Sequence, residues 1–400
     1  MDISVRMGAA AQNQGIEEAA PQLTAINGMR FLAVFHIFLY HLDGSEYLGV
    51  DTTPRWLDNL FEHGYVSTSF FFLLSGFILA YLYWRPDGEL AISHGRFWWQ
   101  RFTRVYPVHL IALLVTMVIE ISLWRTGHDA PAFPMAMASA VATMTLTQAW
   151  FAPLVPLWSW PTWALSALVF LYLIMPWLMR LLARLSRAQS IVWLVALPLI
   201  SLLPTLVYLQ FFPDGAPRSR NWQILLGSTP LFWVAHFAAG MLMSRIFAIS
   251  RFEHGWRERP RLWFSAGDFA LAALILLCLT DPPPLPWRFI LRHGALMPLH
   301  LIVLHDLALG RGFASRLLVT APLQFLGQTS FSIFIWQNVI LALGALVVPV
   351  LAISKPMSFG LAVVALLLIA ILSTYCLEKP IAKWLRRMGR AQGLATPVPT

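Results

Sequence analysis

The sequence predicts an all-α membrane protein, a polytopic bundle of about ten transmembrane helices with one re-entrant segment. Hydrophobic residues make up 58% of the 400 residues and charged residues only 12%, and the mean hydropathy is +0.65. Soluble domains carry about 25% charged residues, so this chain has too little polar surface for a soluble globule. Stretches of roughly 18 to 25 mostly apolar residues, long enough to cross a bilayer, recur along it.

Ten of these stretches are interpreted as membrane spans. They are 24–43, 64–83, 105–123, 163–183, 190–211, 222–245, 263–280, 289–308, 322–350 and 357–377. The segment 135–152 is rich in alanine and threonine and runs into Pro153 and Pro156, so we interpret it as re-entrant or interfacial.

The distribution of charge supports this topology. Lys and Arg in short loops favour the cytoplasmic side, and with the N-terminus inside the predicted cytoplasmic loops are basic while the first outer loop is acidic. Counting 135–152 as a span would place the arginines of 180–187 outside. We therefore expect a multi-pass protein of the inner (plasma) membrane with both termini cytoplasmic. The net charge of +9 reflects this bias, and we do not expect nucleic-acid binding.

The ends of the chain are expected to lie outside the bundle. Residues 1–22 lack the basic and apolar regions of a secretory signal, so they are predicted to be a disordered cytoplasmic arm. Residues 23–385 form the predicted membrane domain, and 386–400 a cytoplasmic tail. The two cysteines, Cys278 and Cys376, fall inside predicted spans and indicate no disulfide framework, zinc spacing or nucleophile.

The first span carries a charged and a titratable residue, Arg30 and His41. Eleven residues bring two helical side chains to within ~20° of each other around the axis and roughly 16 Å apart along it. Such groups inside an apolar span normally face a protein cavity, which favours a functional site. The alternative is that Arg30 snorkels to the interface. His36 points about 140° away from His41, so we expect it to have a packing role.

A basic cluster precedes the third span, where Arg101 and Arg104 lie three residues apart and hence on one helical face. Paired guanidinium groups suit phosphate. The alternative is a topogenic cluster that binds lipid headgroups beside aromatic residues such as Tyr106.

Six motifs, in order over nearly the whole chain, resemble the acyltransferase 3 family of integral-membrane acyl-CoA-dependent O-acyltransferases. They are Arg30-x10-His41; SFFFLLSGF at 69–77; Arg101-x-x-Arg104 with Tyr106-Pro107; Trp163-Ala-Leu-Ser166 with Phe170, Tyr172 and Pro176; Leu326-Gly327-Gln-Thr-Ser330-Phe-Ser332; and Glu378-Lys379-Pro380. Residues 23–385 are accordingly identified as an acyltransferase 3 membrane domain.

The resemblance implies that His41 is catalytic with Arg30 on the same face, and that Arg101, Arg104 and Tyr106 meet the acyl-CoA donor. It also implies acceptor binding by Trp163, Ser166, Tyr172 and Gln337. Acyl-CoA, with acetyl-CoA as the expected donor, is a substrate, and we expect no permanently bound cofactor and no metal. The expected partners are a hydroxylated glycan or lipid acceptor and membrane lipids.

Two positions depart from the family pattern. Leu168 stands where the fourth-span motif usually has Glu, and Gln337 stands where the ninth span often has His. Glu120 is a candidate replacement in acceptor binding, because an ionisable residue in a span is otherwise unexplained; the alternative is a snorkelling interfacial side chain. Gln337 keeps hydrogen-bonding capacity but cannot titrate.

The eighth span adds Arg292, His293, His300 and His305 with Asp306. His293 and His300 lie seven residues apart on one face, whereas His305 points elsewhere. This spacing is poor for a metal site, and it suits the lining of an acceptor cavity or polar residues at helix ends.

The residues thus favour transfer of an acetyl or short acyl group from acyl-CoA to a hydroxyl. A neutral imidazole can act as general base in such a transfer, and an acyl-histidine intermediate is the competing mechanism. One alternative is a transporter in which Arg30, His41 and Glu120 form an intramembrane pathway. The other is a non-catalytic family member that binds donor or lipid, which Leu168 and Gln337 would favour.

Overall fold

The protein was analysed as a computed structural model that describes residues 23–44, 54–85, 87–216, 219–254 and 263–391. Helices dominate these ranges, whose β-structure is an isolated bridge between Trp84 and Leu90. The predicted arm at 1–22 lies outside the described residues. The last helix runs to Ala391, so the predicted boundary at 385 falls within that helix.

The α-helices are numbered in chain order. The first half contains α1 (Thr24–Asp43), α2 (Arg55–Glu62), α3 (Gly64–Tyr83), α4 (His94–Arg125), α5 (Phe133–Met144), α6 (Trp163–Ala183), α7 (Arg187–Phe211) and α8 (Arg220–Ser228). The second half contains α9 (Val234–His254), α10 (Ala266–Leu279), α11 (Leu285–Ile290), α12 (Met297–Ala308), α13 (Gly312–Leu318), α14 (Ala321–Gln328), α15 (Ser330–Leu351), α16 (Lys355–Leu372) and α17 (Lys379–Ala391).

The predicted all-α polytopic bundle is confirmed. Within the described ranges, eight helices or helix runs are long and apolar enough to cross a membrane: Thr24–Asp43, Arg55–Tyr83, His94–Arg125, Trp160–Ala183, Arg187–Phe211, Pro230–Ala248, Ser330–Leu351 and Lys355–Met388. The seventh and eighth predicted spans correspond to shorter apolar helices, Ala266–Leu279 and Met297–Ala308. Helix α4 is longer than its predicted span because Ser93 caps it eleven residues earlier, with its side chain accepting from the Arg96 backbone.

Three predicted spans are broken, which corrects their bounds. The span 222–245 divides at Thr229 and Pro230, because a proline cannot donate to the preceding turn. The span 289–308 is interrupted by a π-helical turn, Leu291–Ala295. The span 322–350 divides at Thr329, whose hydroxyl donates to the Leu326 carbonyl.

The region around 135–152 contains a short helix, and its re-entrant or interfacial placement stays a prediction. Helix α5 has 12 residues, which is about 18 Å and too short for a hydrocarbon core of roughly 30 Å. Three short 3₁₀ turns then lead the chain to α6. A hydrogen bond within the segment stabilises it, since Ser139 Oγ donates to the Leu154 carbonyl over 2.7 Å.

Glycines set the tightest helix contact, between α3 and α9. A Cβ at Gly76 would collide with the Phe237 carbonyl, and one at Gly240 would collide with the Leu73 carbonyl. The second-span motif at 69–77 is therefore a packing element that brings two backbones together. Helix α1 packs beside α3 and also contacts α13, α14 and α15, so its polar face looks into the bundle.

Candidate functional site

Helix α1 is continuous from Thr24 to Asp43, and it therefore presents Arg30 and His41 as their spacing predicts. Both side chains are half-buried. Eleven residues of α-helix separate them by about 16 Å along the axis. The two ends of this face have different surroundings.

At the Arg30 end lies a cavity of about 190 Å³. Its lining comes from four helices, α1, α4, α14 and α17, and from the turn Ser373–Glu378. The lining residues are Asn27, Arg30, Arg104, Gln328, Glu378, Lys379, Ala382 and Arg386. Four basic side chains thus face one carboxylate, so the cavity carries an excess of positive charge.

The cations of this cavity are only partly neutralised. Arg104 Nη2 lies 3.6 Å from Glu378 Oε1, and Lys379 Nζ donates to Gln328 Oε1 over 3.1 Å. Arg30 makes no hydrogen bond or ion pair within the part of the chain that the structure describes. A half-buried guanidinium without a protein partner is suited to bind an anion from solution.

Glu378 is held in place by the segment that precedes α17. It is buried at the end of the π-helical turn Ser373–Glu378, and Ser332 Oγ donates to its Oε2 over 3.3 Å. Thr374 Oγ1 donates in turn to Ser332 Oγ over 2.9 Å. The Ser332 and Glu378 motifs therefore meet, and together they position the carboxylate against Arg104.

Arg101 and Arg104 have different environments although they share a helix face. Arg101 Nη2 donates to Tyr83 Oη over 2.8 Å, and its guanidinium lies 5.3 Å from the centre of the Tyr83 ring. Arg104 is among the residues that line the cavity, and Arg101 is not. Tyr106 stacks on Phe102 at 4.8 Å, away from the lining residues.

Tyr172 belongs to the same end of the molecule. Its side chain is within electrostatic range of Arg30, Arg101 and Arg104, while its backbone carbonyl accepts from Trp98 Nε1 over 3.1 Å. The predicted acceptor-binding residue thus sits with the basic groups, at the far end of α1 from His41.

At the other end of the face, His41 contacts Gln337 of α15. His41 Nδ1 and Gln337 Oε1 are 3.0 Å apart, and Gln337 Nε2 donates to the Phe334 carbonyl over 2.9 Å. This second bond fixes the amide so that its oxygen faces the histidine, which requires His41 Nδ1 to carry the proton. His41 Nε2 is then the basic nitrogen, and it has no hydrogen-bond partner among the described residues.

The rival histidine in α1 has a different role. His36 Nδ1 lies 2.8 Å from Ser67 Oγ and its Nε2 lies 2.6 Å from the Leu60 carbonyl oxygen. Both ring nitrogens are used to join α1 to α2 and α3. This arrangement supports the packing role expected for His36.

Arg292 also lies within electrostatic range of His41. Its guanidinium lies beside Trp163 and Trp233, 5.4 Å from each ring centre. The sequence placed Arg292 only in the polar group of the eighth span, as a residue that lines an acceptor cavity or lies at a helix end.

Three further predicted residues lie elsewhere. Ser166 Oγ donates to the Leu146 carbonyl over 2.6 Å and so holds the segment before α6. Leu168 is buried in the apolar core. Glu120 is half-buried in the other half of α4 from Arg101 and Arg104, with His128 as its charged neighbour; the structure shows no contact between Glu120 and the His41 region among described residues.

The histidines of the eighth predicted span are buried. His293 packs 5.3 Å from the Trp233 ring and His300 packs 5.5 Å from the Phe70 ring. Among the described residues, no three His, Cys, Asp or Glu side chains are grouped so as to hold a metal ion.

The sequence is similar to a known protein family and to several known proteins. The family model for an acyltransferase domain matches residues 23–378. Acyltransferase MdmB of Streptomyces mycarofaciens is 24% identical over 81% of this chain and 80% of its own length.

Two further relatives are longer than this chain. The putative peptidoglycan O-acetyltransferase YrhL of Bacillus subtilis is 22% identical over 90% of this chain and 55% of its own length. The peptidoglycan O-acetyltransferase OatA of Listeria monocytogenes is 23% identical over 90% of this chain and 56% of its own. This chain therefore spans about half of each of these two proteins. No solved structure matches it.

Proposed function

This chain belongs to the acyltransferase 3 family, and from that premise we propose that it moves an acetyl or other short acyl group from acyl-CoA to a hydroxyl of a glycan, lipid-linked sugar or similar amphipathic acceptor. The observation that carries the proposal is the two-ended polar face of α1. A cation-lined cavity lies at Arg30, and a histidine with a free basic nitrogen lies at His41, about 16 Å further along the helix.

The dimensions of acyl-CoA suit this arrangement. Its phosphates lie at one end and its thioester at the tip of an extended arm, comparable in length to half of the roughly 30 Å hydrocarbon core. Phosphates in the cavity would place the thioester near His41. A single donor molecule would therefore occupy both ends of the face at once.

In this proposal the phosphates are bound by Arg30, Arg104, Lys379 and Arg386. Guanidinium groups bind phosphate through two parallel hydrogen bonds, and Lys379 adds a point charge. Glu378 orients Arg104 without cancelling the positive charge of the cavity. Arg101 is hydrogen-bonded to Tyr83 instead, so it has a smaller part in donor binding in this proposal.

His41 supplies the base. Its Nε2 accepts the proton of the acceptor hydroxyl while the hydroxyl oxygen attacks the thioester carbonyl, a role that typically contributes ~10²–10⁴ in rate. The Gln337 oxygen then stabilises the imidazolium through the Nδ1 proton. The same free Nε2 could instead take the acyl group directly, forming an acyl-histidine.

The acceptor class follows from the relatives' names, two of which are peptidoglycan O-acetyltransferases. Trp163 and Gln337 lie around His41 and are the residues proposed to meet the acceptor. Tyr172 is proposed to contact the donor instead, because it lies with Arg30 and Arg104. The donor would enter from the cytoplasm, into a multi-pass protein of the plasma membrane with both termini on that side.

The test uses purified protein in nanodiscs with [¹⁴C]acetyl-CoA. Loss of the thioester and label on protein or acceptor are followed, and donor binding is measured in parallel. His41→Ala is the key variant and His36→Ala its matched control, because both remove a histidine from α1. We expect His41→Ala to abolish turnover while donor binding stays within about twofold, and His36→Ala to keep turnover.

Wild-type protein that neither binds nor consumes acetyl-CoA would contradict the proposal and favour the transporter alternative. Donor binding without any turnover would favour a non-catalytic family member. Equal turnover in wild type and His41→Ala would contradict the role of His41.

A further inference from the structure

Arg292 is a basic residue close to His41 that the proposed reaction does not yet use. It lies on the π-helical turn Leu291–Ala295, between α11 and α12. Its charge acts both on His41 and on the neighbouring Tyr40. The backbone at Gly294 is not helical (φ 179°, ψ −38°), so the chain kinks two residues after Arg292.

The position of the guanidinium is set from several sides. It lies 5.4 Å from the ring centres of both Trp163 and Trp233, and its Nη2 donates to the Gly227 carbonyl over 3.3 Å. A Cβ at position 227 would lie 3.1 Å from Nη1, so glycine allows this approach. The turn itself is anchored, since Ser69 Oγ donates to the Arg292 carbonyl over 2.6 Å.

The charge of Arg292 has no counter-ion within the described part of the chain. No carboxylate lies within ion-pair distance there, and Nε is sealed from solvent without a hydrogen-bond partner. A cation inside a membrane bundle is costly unless an anion accompanies it. The tryptophan rings offset only part of this cost. The site is therefore suited to a negative charge that a bound substrate carries or develops during the reaction.

We propose that Arg292 is a catalytic residue that stabilises the negative charge developing on the thioester carbonyl oxygen during acyl transfer. This inference rests on the proposed function. When the acceptor oxygen bonds to the carbonyl carbon, its proton moves to His41 Nε2 and the carbonyl π electrons move onto the oxygen, which faces Arg292. Collapse then re-forms the C=O bond and breaks the C–S bond, and the CoA thiolate takes the proton from the His41 imidazolium.

A fixed guanidinium of this kind affects the rate of acyl transfer rather than the binding of acyl-CoA. Preorganised groups at a developing oxyanion typically contribute about 10²–10³ in kcat. Because the charge exists only in the transition state, removal of the guanidinium should lower kcat and leave the KM for the donor nearly unchanged. A structural role would give neither this separation nor recovery by an added guanidinium.

The experiment compares Arg292→Gln and Arg292→Ala with Arg245→Gln, in nanodiscs with acetyl-CoA. Arg245 is a matched control, since it also stacks on a tryptophan, 5.6 Å from Trp84, and donates to backbone carbonyls. We expect Arg292→Gln to lose about 100-fold or more in kcat, both in transfer and in acceptor-free hydrolysis, with donor KM within about threefold. Methylguanidinium should restore part of the kcat of Arg292→Ala, and Arg245→Gln should keep wild-type kcat.

Wild-type kcat in Arg292→Gln would overturn the inference while leaving the proposed function intact. The inference would also be overturned if Arg292→Gln changed only the KM for the acceptor and kept normal acceptor-free hydrolysis. That result would show that Arg292 binds an anionic acceptor. If the Gln and Ala variants do not fold, Arg292→Met, which keeps an apolar stem beside the tryptophans and removes the charge, decides: reduced kcat at unchanged donor KM supports the inference, and unchanged kcat overturns it. A wild-type protein without acetyl-CoA turnover would overturn both proposals.

Discussion

His41 Nδ1 and Gln337 Oε1 lie 3.0 Å apart, and this hydrogen bond joins residues separated by 296 positions in the chain. The bond from Gln337 Nε2 to the Phe334 carbonyl prevents the amide from turning over. Together the two bonds define the protonated nitrogen of His41 and leave the other free. An uncharged amide thus orients a histidine in the way that a carboxylate does elsewhere.

The first prediction concerns this orientation. Gln337→Leu should lower kcat by about 10- to 100-fold, because a misaligned imidazole loses part of the ~10²–10⁴ that a general base contributes. The donor KM should change little, since the phosphates bind at the other end of α1. Steady-state kinetics with acetyl-CoA measure both parameters.

The matched control is Asn338→Leu. Asn338 is the next amide on α15, but its Nδ2 donates to the Trp158 carbonyl over 3.1 Å rather than to His41. Its substitution should leave kcat near the wild-type value. A Gln337→Leu enzyme with normal kcat would show that the hydrogen bond has no part in the rate.

The second prediction separates the two arginines that precede the third span. Arg104→Gln should raise the KM for acyl-CoA by about tenfold or more, because Arg104 lines the cavity and a charge-assisted hydrogen bond is worth about 1.5–3 kcal/mol. Arg101→Gln should raise it less, because the Arg101 guanidinium is already engaged by Tyr83.

Competition by free CoA and by its 3′-dephospho form measures the same difference without turnover. Both competitors should lose affinity for Arg104→Gln, and the loss should shrink at high salt because solvent ions screen the attraction. Equal effects of the two substitutions would contradict the assignment of the cavity.

The third prediction concerns His36. His36→Ala should lower the free energy of unfolding by about 1–3 kcal/mol, since it leaves Ser67 and the Leu60 carbonyl without their partner. The kcat of the folded protein should stay normal. Thermal unfolding followed by tryptophan fluorescence, combined with kinetics below the transition, checks both statements.

The fourth prediction concerns the crossing of α3 and α9. Gly76→Ala should lower the thermal unfolding midpoint, because the new methyl group collides with the Phe237 carbonyl and overpacking typically costs about 1–3 kcal/mol. Gly360→Ala is the control, since a Cβ at that helical position meets nothing within 4 Å. If the two variants unfold at the same temperature, the close approach of the backbones is wrong.

Much of the fold could be predicted from local pattern. The apolar stretches predicted ten spans; within the described residues eight of them correspond to helices long enough to cross a membrane and two to shorter apolar helices. The bounds were wrong where a helix breaks inside an apolar stretch, as at Thr229 and at the π-helical turn around Arg292. Hydrophobicity reports burial in lipid or protein, and it does not report which backbone geometry the chain adopts there.

Part of the candidate site could likewise be predicted from local pattern, and part could not. Arg30 and His41 could be placed on one face about 16 Å apart because helical periodicity depends only on sequence spacing. Arg101 and Arg104 are three residues apart and also share a helix face. Only Arg104 lines the cavity. The difference comes from Tyr83, whose approach depends on how α3 packs beside α4.

The sequence by itself determined the class of the protein, its polar helix face and the residue types available for chemistry. Only the tertiary structure decided that Glu378, Lys379 and Arg386 close a cavity around Arg30, that Gln337 orients His41, and that Arg292 lies near it. The physical reason is the range of the interactions. Helix formation and amphipathicity are set by neighbours within a few residues, whereas these contacts depend on how segments up to about 350 residues apart pack together in the bundle.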